Sequence, residues 1–121
     1  MDVYVHQKPK KPLMEEPEQR EHSILRMITS TVREKEPDAE VILYGSRARK
    51  TARSDSDWDV LILVNKQELG AIERGELEYS VWDKGLVMGE EINATAYTRS
   101  QWEQAPPSLF KHNVTKEGVR L

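Results

Sequence analysis

Leu43-Tyr44-Gly45-Ser46, the ten residues 47–56, and then Asp57-Trp58-Asp59-Val60-Leu61-Ile62-Leu63-Val64 decide how this chain is read. Residues 40–44, Glu-Val-Ile-Leu-Tyr, are strand formers that stop abruptly at Gly45. Glycine has no Cβ, so the backbone can turn sharply there and a ligand can approach closely. Ser46 adds a hydroxyl and an N–H where a short helix would start, and unpaired N–H groups at a helix start suit phosphate. Arg47, Arg49, Lys50 and Arg53 add positive charge nearby. Asp57 and Asp59 open the next strand. A period of two places both carboxylates on one face. Two such charges ~4 Å apart repel by about 4 kcal/mol at an effective dielectric of 20. A hard cation such as Mg²⁺, which favours carboxylates and phosphate oxygens, would relieve that repulsion. The nearly continuous apolar run Trp58–Val64, interrupted by one acid, reads as a strand buried on both faces.

Other elements extend outward from this centre. Residues 1–17 read as a tail, with Pro9, Pro12 and Pro17 and the basic cluster Lys8, Lys10 and Lys11; the lysines suit either a docking arm or a frayed terminus. Residues 18–121 read as the domain. Ile24, Leu25, Ile28 and Val32 recur at helical spacing, which predicts a helix over 18–36 ended by Pro37. Residues 47–53 predict about two helical turns. Leu69, Ile72, Leu77, Val81 and Trp82 predict a helix near 73–86, with Gly85 or Gly89 closing it. From Ile92 to Tyr97 the pattern alternates, with Ile92, Ala94 and Ala96 on one face and Glu91, Asn93, Thr95 and Tyr97 on the other. Ser100 with Glu103 predicts a capping box for a short helix that Pro106-Pro107 breaks. A last helix over 108–116, packing Leu109, Phe110 and Val114, and an edge strand at 118–121 complete a mixed α/β fold: a three- or four-stranded mixed sheet covered by helices.

Composition removes several function classes. The chain has 121 residues, 37% hydrophobic and 32% charged, with a formal net charge of −3. That balance does not favour direct nucleic-acid binding, and the 47–53 basic cluster is the one segment that would carry it. There is no cysteine, so thiolate metal sites and a cysteine nucleophile are excluded. No apolar run reaches the roughly 18–20 residues of a membrane span, and the first twelve residues lack a secretory apolar core. The expectation is a cytoplasmic domain. His6, His22 and His112 share no ligand spacing, and Ser46 has no histidine–acid partner in the sequence. Trp58 must point away from the two acids, and Trp82, Trp102 and Tyr44 read as packing residues.

Gly45-Ser46, ten residues, and Asp57-x-Asp59 ahead of an apolar strand resemble the signature of the DNA polymerase β-like nucleotidyltransferase superfamily. More closely, the chain resembles the minimal nucleotidyltransferases, small stand-alone catalytic domains. The similarity spans roughly residues 20–121 and includes the ending Asn113-Val114-x-x-Glu117-Gly118-Val119. The resemblance implies that Gly45 and Ser46 bind the phosphates of a nucleoside triphosphate, with ATP expected, and that Arg47 neutralises phosphate charge. It implies two Mg²⁺ ions on Asp57 and Asp59, and a third acid on a neighbouring strand. That acid is usually aspartate; here the candidates are Glu90 and Glu91, and alternation favours Glu91. The implied reaction moves a nucleoside monophosphate to a hydroxyl. Relatives of this kind often pair with a HEPN-type helical partner protein in toxin–antitoxin modules. The alternative is a catalytically weak or inactive, antitoxin-like partner-binding subunit on the same fold.

Overall fold

The computed structural model describes residues 16–121. The expectations for the proline-rich tail, its lysine cluster and His6 fall almost wholly outside those residues. The exception is Pro17, which opens helix α1 (Pro17–Lys35), where its missing N–H costs nothing. The chain continues through β1 (Glu40–Tyr44), α2 (Ser46–Arg49), β2 (Trp58–Val64), α3 (Ala71–Val87), β3 (Ile92–Thr98), α4 (Arg99–Gln104), α5 (Leu109–Glu117) and β4 (Val119–Arg120).

The four strands form one mixed sheet in the order β3-β2-β1-β4. β1 runs antiparallel to both β2 and β4, while β2 and β3 are parallel and joined through α3. The central position of β2 explains its unbroken apolar run. Trp58, Val60, Ile62 and Val64 face one layer, and Leu61 and Leu63 face the other. The larger layer packs Ile24, Ile28 and Val32 of α1 and Leu77 and Val81 of α3 on the sheet. The smaller layer sets Leu61, Leu63 and Val114 against Ile42, Tyr44, Tyr97, Trp102 and Phe110. The faces assigned to β3 by alternation hold: Ile92 and Ala96 are buried in the larger layer, and Asn93 is exposed on the other side.

Several boundaries differ from the sequence reading. The two turns expected over 47–53 shrink to one, because Lys50 takes a left-handed conformation (φ 63°) and ends α2. Helix α3 is closed by Gly89, at φ 80°, whereas Gly85 lies inside it and faces Ile92. The capping box is not Ser100–Glu103. Thr98 caps α4 and Gln101 returns the bond, because β3 runs straight into the helix without a spacer. Leu109 does not pack: at the first turn of α5 it is 75% exposed, and Phe110 and Val114 face the sheet instead. Ile72, expected on the buried face of α3, is 79% exposed because that helix turns Leu77, Val81 and Gly85 inward.

Candidate active site

The turn after β1 and the start of β2 meet because the two strands are antiparallel neighbours, with Tyr44 opposite Asp59. Gly45 therefore sits against the Asp59 carboxylate. A Cβ at position 45 would collide with Asp59 Oδ2, and Gly45 adopts φ 75°, ψ −158°, a conformation essentially reserved for glycine. The sharp backbone turn expected at Gly45 is present, and the group that lies against it is Asp59.

Asp57 and Asp59 share a partner. The side-chain amide of Asn93 donates to Asp57 Oδ2 at 3.3 Å and lies 3.5 Å from Asp59 Oδ1. Asn93 reaches both because β3 is parallel to β2 with Asp59 in register with it. Burial raises the pKa of Asp59; the Asp57 charge adds to the rise, while the Asn93 amide and the Arg49 cation oppose it. The Tyr44 phenol is raised as well, first by burial and then by the Asp59 charge.

The N–H of Gly45 donates to Oε1 of Glu117 at 3.3 Å. The same carboxylate accepts from Arg49 Nη1 at 3.0 and 3.2 Å. Glu117 ends α5, so the last helix is tied to the Gly45 turn, and the donors of that turn hold an anionic oxygen. Sequence reasoning noticed Glu117 only as part of the closing motif and Asn93 only as a face-mate of Glu91; neither position signalled its partner, because each contact spans two elements.

The acid and arginine candidates divide between the two faces of the sheet. Arg47 does not face the two acids. Its guanidinium lies 4.3 Å over the Trp58 ring and donates to the carbonyl of Ser56 at 2.8 Å, on the α1 side of the sheet. Glu90, one of the two candidates for a third acid, lies on that same side. It is 2% exposed, accepts from the Trp58 indole N–H at 3.0 Å and is paired with Arg20. A cavity of about 290 Å³ adjoins this cluster beneath the start of α1. Glu91, half-buried just before β3, uses its carbonyl to accept the N–H of Trp58 at 3.0 Å. Among the described residues, no three His, Cys, Asp or Glu side chains gather into a set that could hold a metal. What the fold brings together is Asp57, Asp59, Asn93 and the Gly45 turn.

The sequence profile of the nucleotidyltransferase domain family matches residues 25–120. No curated protein matches the chain. Solved structures of known proteins share the fold, among them the following three. A toxin–antitoxin structure with AMP-PNP is 20% identical, with a TM-score of 0.58, covering 78% of this chain and 69% of its own. A mutant of the toxin–antitoxin MntA-HpeT is 17% identical, with a TM-score of 0.55 and the same coverage. A Sulfolobus solfataricus protein assigned as a nucleotidyltransferase is 19% identical, with a TM-score of 0.53, covering 88% of this chain and 89% of its own.

Proposed function

The chain belongs to the nucleotidyltransferase domain family, and on that premise we propose that it transfers a nucleoside monophosphate, AMP from ATP, to a hydroxyl acceptor in a magnesium-dependent reaction. The observation that carries this reading is the juxtaposition of the Gly45 turn with Asp59, Asp57 and Asn93 on one face of the sheet.

The donor set fits a hard divalent cation: two carboxylates, one of them resisting ionisation by burial, converge on a single amide. Asp57 and Asp59 would hold magnesium, which when bound lowers the pKa of the acceptor hydroxyl and stabilises departing pyrophosphate. Asn93 orients both carboxylates. Gly45, lacking a Cβ, leaves room for a phosphate beside Asp59. The Gly45 N–H and the Arg49 guanidinium already hold the Glu117 carboxylate, and donors that suit one anionic oxygen suit another; this supports a triphosphate site at the turn, with Ser46 alongside. In the reaction the acceptor oxygen bonds to the α-phosphorus, the bond to the bridging oxygen breaks, and pyrophosphate leaves. In this scheme the hydroxyl proton leaves to solvent water.

Two of the similar structures are toxin–antitoxin complexes, one holding AMP-PNP. They support ATP as the donor and a partner protein as the acceptor, for which a HEPN-type helical protein is our choice. The test is incubation of the chain with each labelled nucleoside triphosphate and cell lysate, with and without Mg²⁺. A labelled protein band that requires both Mg²⁺ and Asp57 is expected. Asp57→Asn should lower turnover by about 10²-fold or more while leaving the melting curve intact; transfer at the wild-type rate by that variant refutes the reading.

Asn93 favours a second reading. A neutral amide lies between the two acids, so the same fold could serve as an antitoxin-like subunit with little catalysis. A partner complex that survives Asp57→Asn and Asp59→Asn, together with no nucleotide transfer by the wild type, selects it.

A further inference from the structure

Trp58 lies between the two acids in sequence and on the opposite face in space. Whatever fixes its ring fixes the backbone that aims Asp57 and Asp59. Three groups hold it. The buried Glu90 carboxylate accepts the indole N–H at 3.0 Å. The Arg47 guanidinium lies over the ring at 4.3 Å. The N–H of Trp58 donates to the Glu91 carbonyl at 3.0 Å. Arg47 also grips the segment just before Asp57, donating to the carbonyls of Ser56 at 2.8 Å and Ser54 at 3.4 Å. Glu90 in turn joins the cations: it is paired with Arg20, whose Nε donates at 3.1 Å, and lies 3.8 Å from Arg47. Arg20 also donates to the Met88 carbonyl at 2.6 Å, which ties α1 to the end of α3.

A buried carboxylate with two guanidiniums costs desolvation and is weak evidence of stabilisation; a hydrophobic cluster of the same volume would often serve as well. Such a network can instead impose one geometry. We infer that Glu90, Arg47 and Trp58 form a positioning clamp, built on the face behind the site, that sets the direction of the Asp57 and Asp59 carboxylates. For its consequence the clamp rests on the proposed reaction, but its mechanical effect does not. Arg47 is then a positioning residue that acts through Trp58 and the 54–56 carbonyls.

Amide hydrogen exchange on the full chain tests the clamp without any ligand. Glu90→Gln, Arg47→Lys and Trp58→Phe each remove one tie. Trp58→Phe keeps the ring and serves if loss of the buried charge prevents folding. Each folded variant should speed exchange at Ser56 and Trp58, whose N–H groups donate to the Arg53 and Glu91 carbonyls, by about tenfold or more, leaving Val60–Val64 unchanged. Unchanged exchange at Ser56 and Trp58, or equal acceleration along Val60–Val64, overturns the clamp. Mn²⁺ titration with ATP supplies the functional arm: groups that orient metal ligands are worth about 10–100-fold in affinity. A loss of that size in the variants supports the clamp, and variants within twofold of wild type overturn it. Absence of Mn²⁺ binding by the wild type counts against the proposed reaction, and the exchange result still decides the clamp.

Discussion

At the scale of single residues, Gly45 and Asp59 are one unit. Gly45 has a backbone conformation that only glycine adopts readily, and its missing Cβ is the space that Asp59 fills. Gly45→Ala should therefore destabilise the chain by about 1–3 kcal/mol, read by urea denaturation. It should also abolish nucleotide transfer, because either the turn or the carboxylate must move. Asp59 has the opposite relation to stability. Its pKa is raised by burial and by Asp57 against the pull of Asn93 and Arg49, so its contribution favours the folded chain below the ordinary value of 3.8 and is lost as pH rises through the raised one. In chelator, where no cation offsets the charge, the melting temperature of Asp59→Asn at pH 7 relative to pH 3 should be higher than that of the wild type, because the variant lacks the loss of stability that Asp59 contributes as pH rises through its raised value. A variant whose melting temperature follows pH as the wild type's does would show that the ionised carboxylate is not the strained group.

At the scale of elements, the sequence signals were strongest where a single period ran unbroken. β1 and β2 span the residues 40–44 and 58–64 that their composition marks as strands. The ends of α2 and α4 were not legible, because each is fixed by one local hydrogen-bonded device. The sequence points to Ser100 with Glu103, whereas the structure caps the helix two residues earlier, at Thr98 with Gln101. The strand runs to Thr98 and so selects the earlier cap. Thr98→Ala should cost about 1 kcal/mol and Ser100→Ala almost nothing, measured by thermal or chemical melts. Equal costs would mean that the capping box is not what starts α4.

At the scale of the whole molecule, one central strand serves both layers. Ile62 is fully buried in the larger layer while Leu61 and Leu63 fill the smaller one. Ile62→Ala should lose about 2–5 kcal/mol. The loss should appear as a single cooperative transition by both tryptophan fluorescence and circular dichroism, since the two layers share β2. Two separate transitions would show that the layers unfold independently. The sequence by itself determined the order and type of the elements and most of their faces, because these follow from periods of two and 3.6 and from the peculiarities of glycine and proline. It could not decide which groups from distant segments would share a face. That Asn93 stands beside the acids, that Glu117 reaches the Gly45 turn, and that Arg47 and Glu90 face the other way were settled by sheet order and register. A carboxylate or guanidinium on a flexible side chain goes to whichever partner the packed strands bring within reach, and no local pattern records that choice.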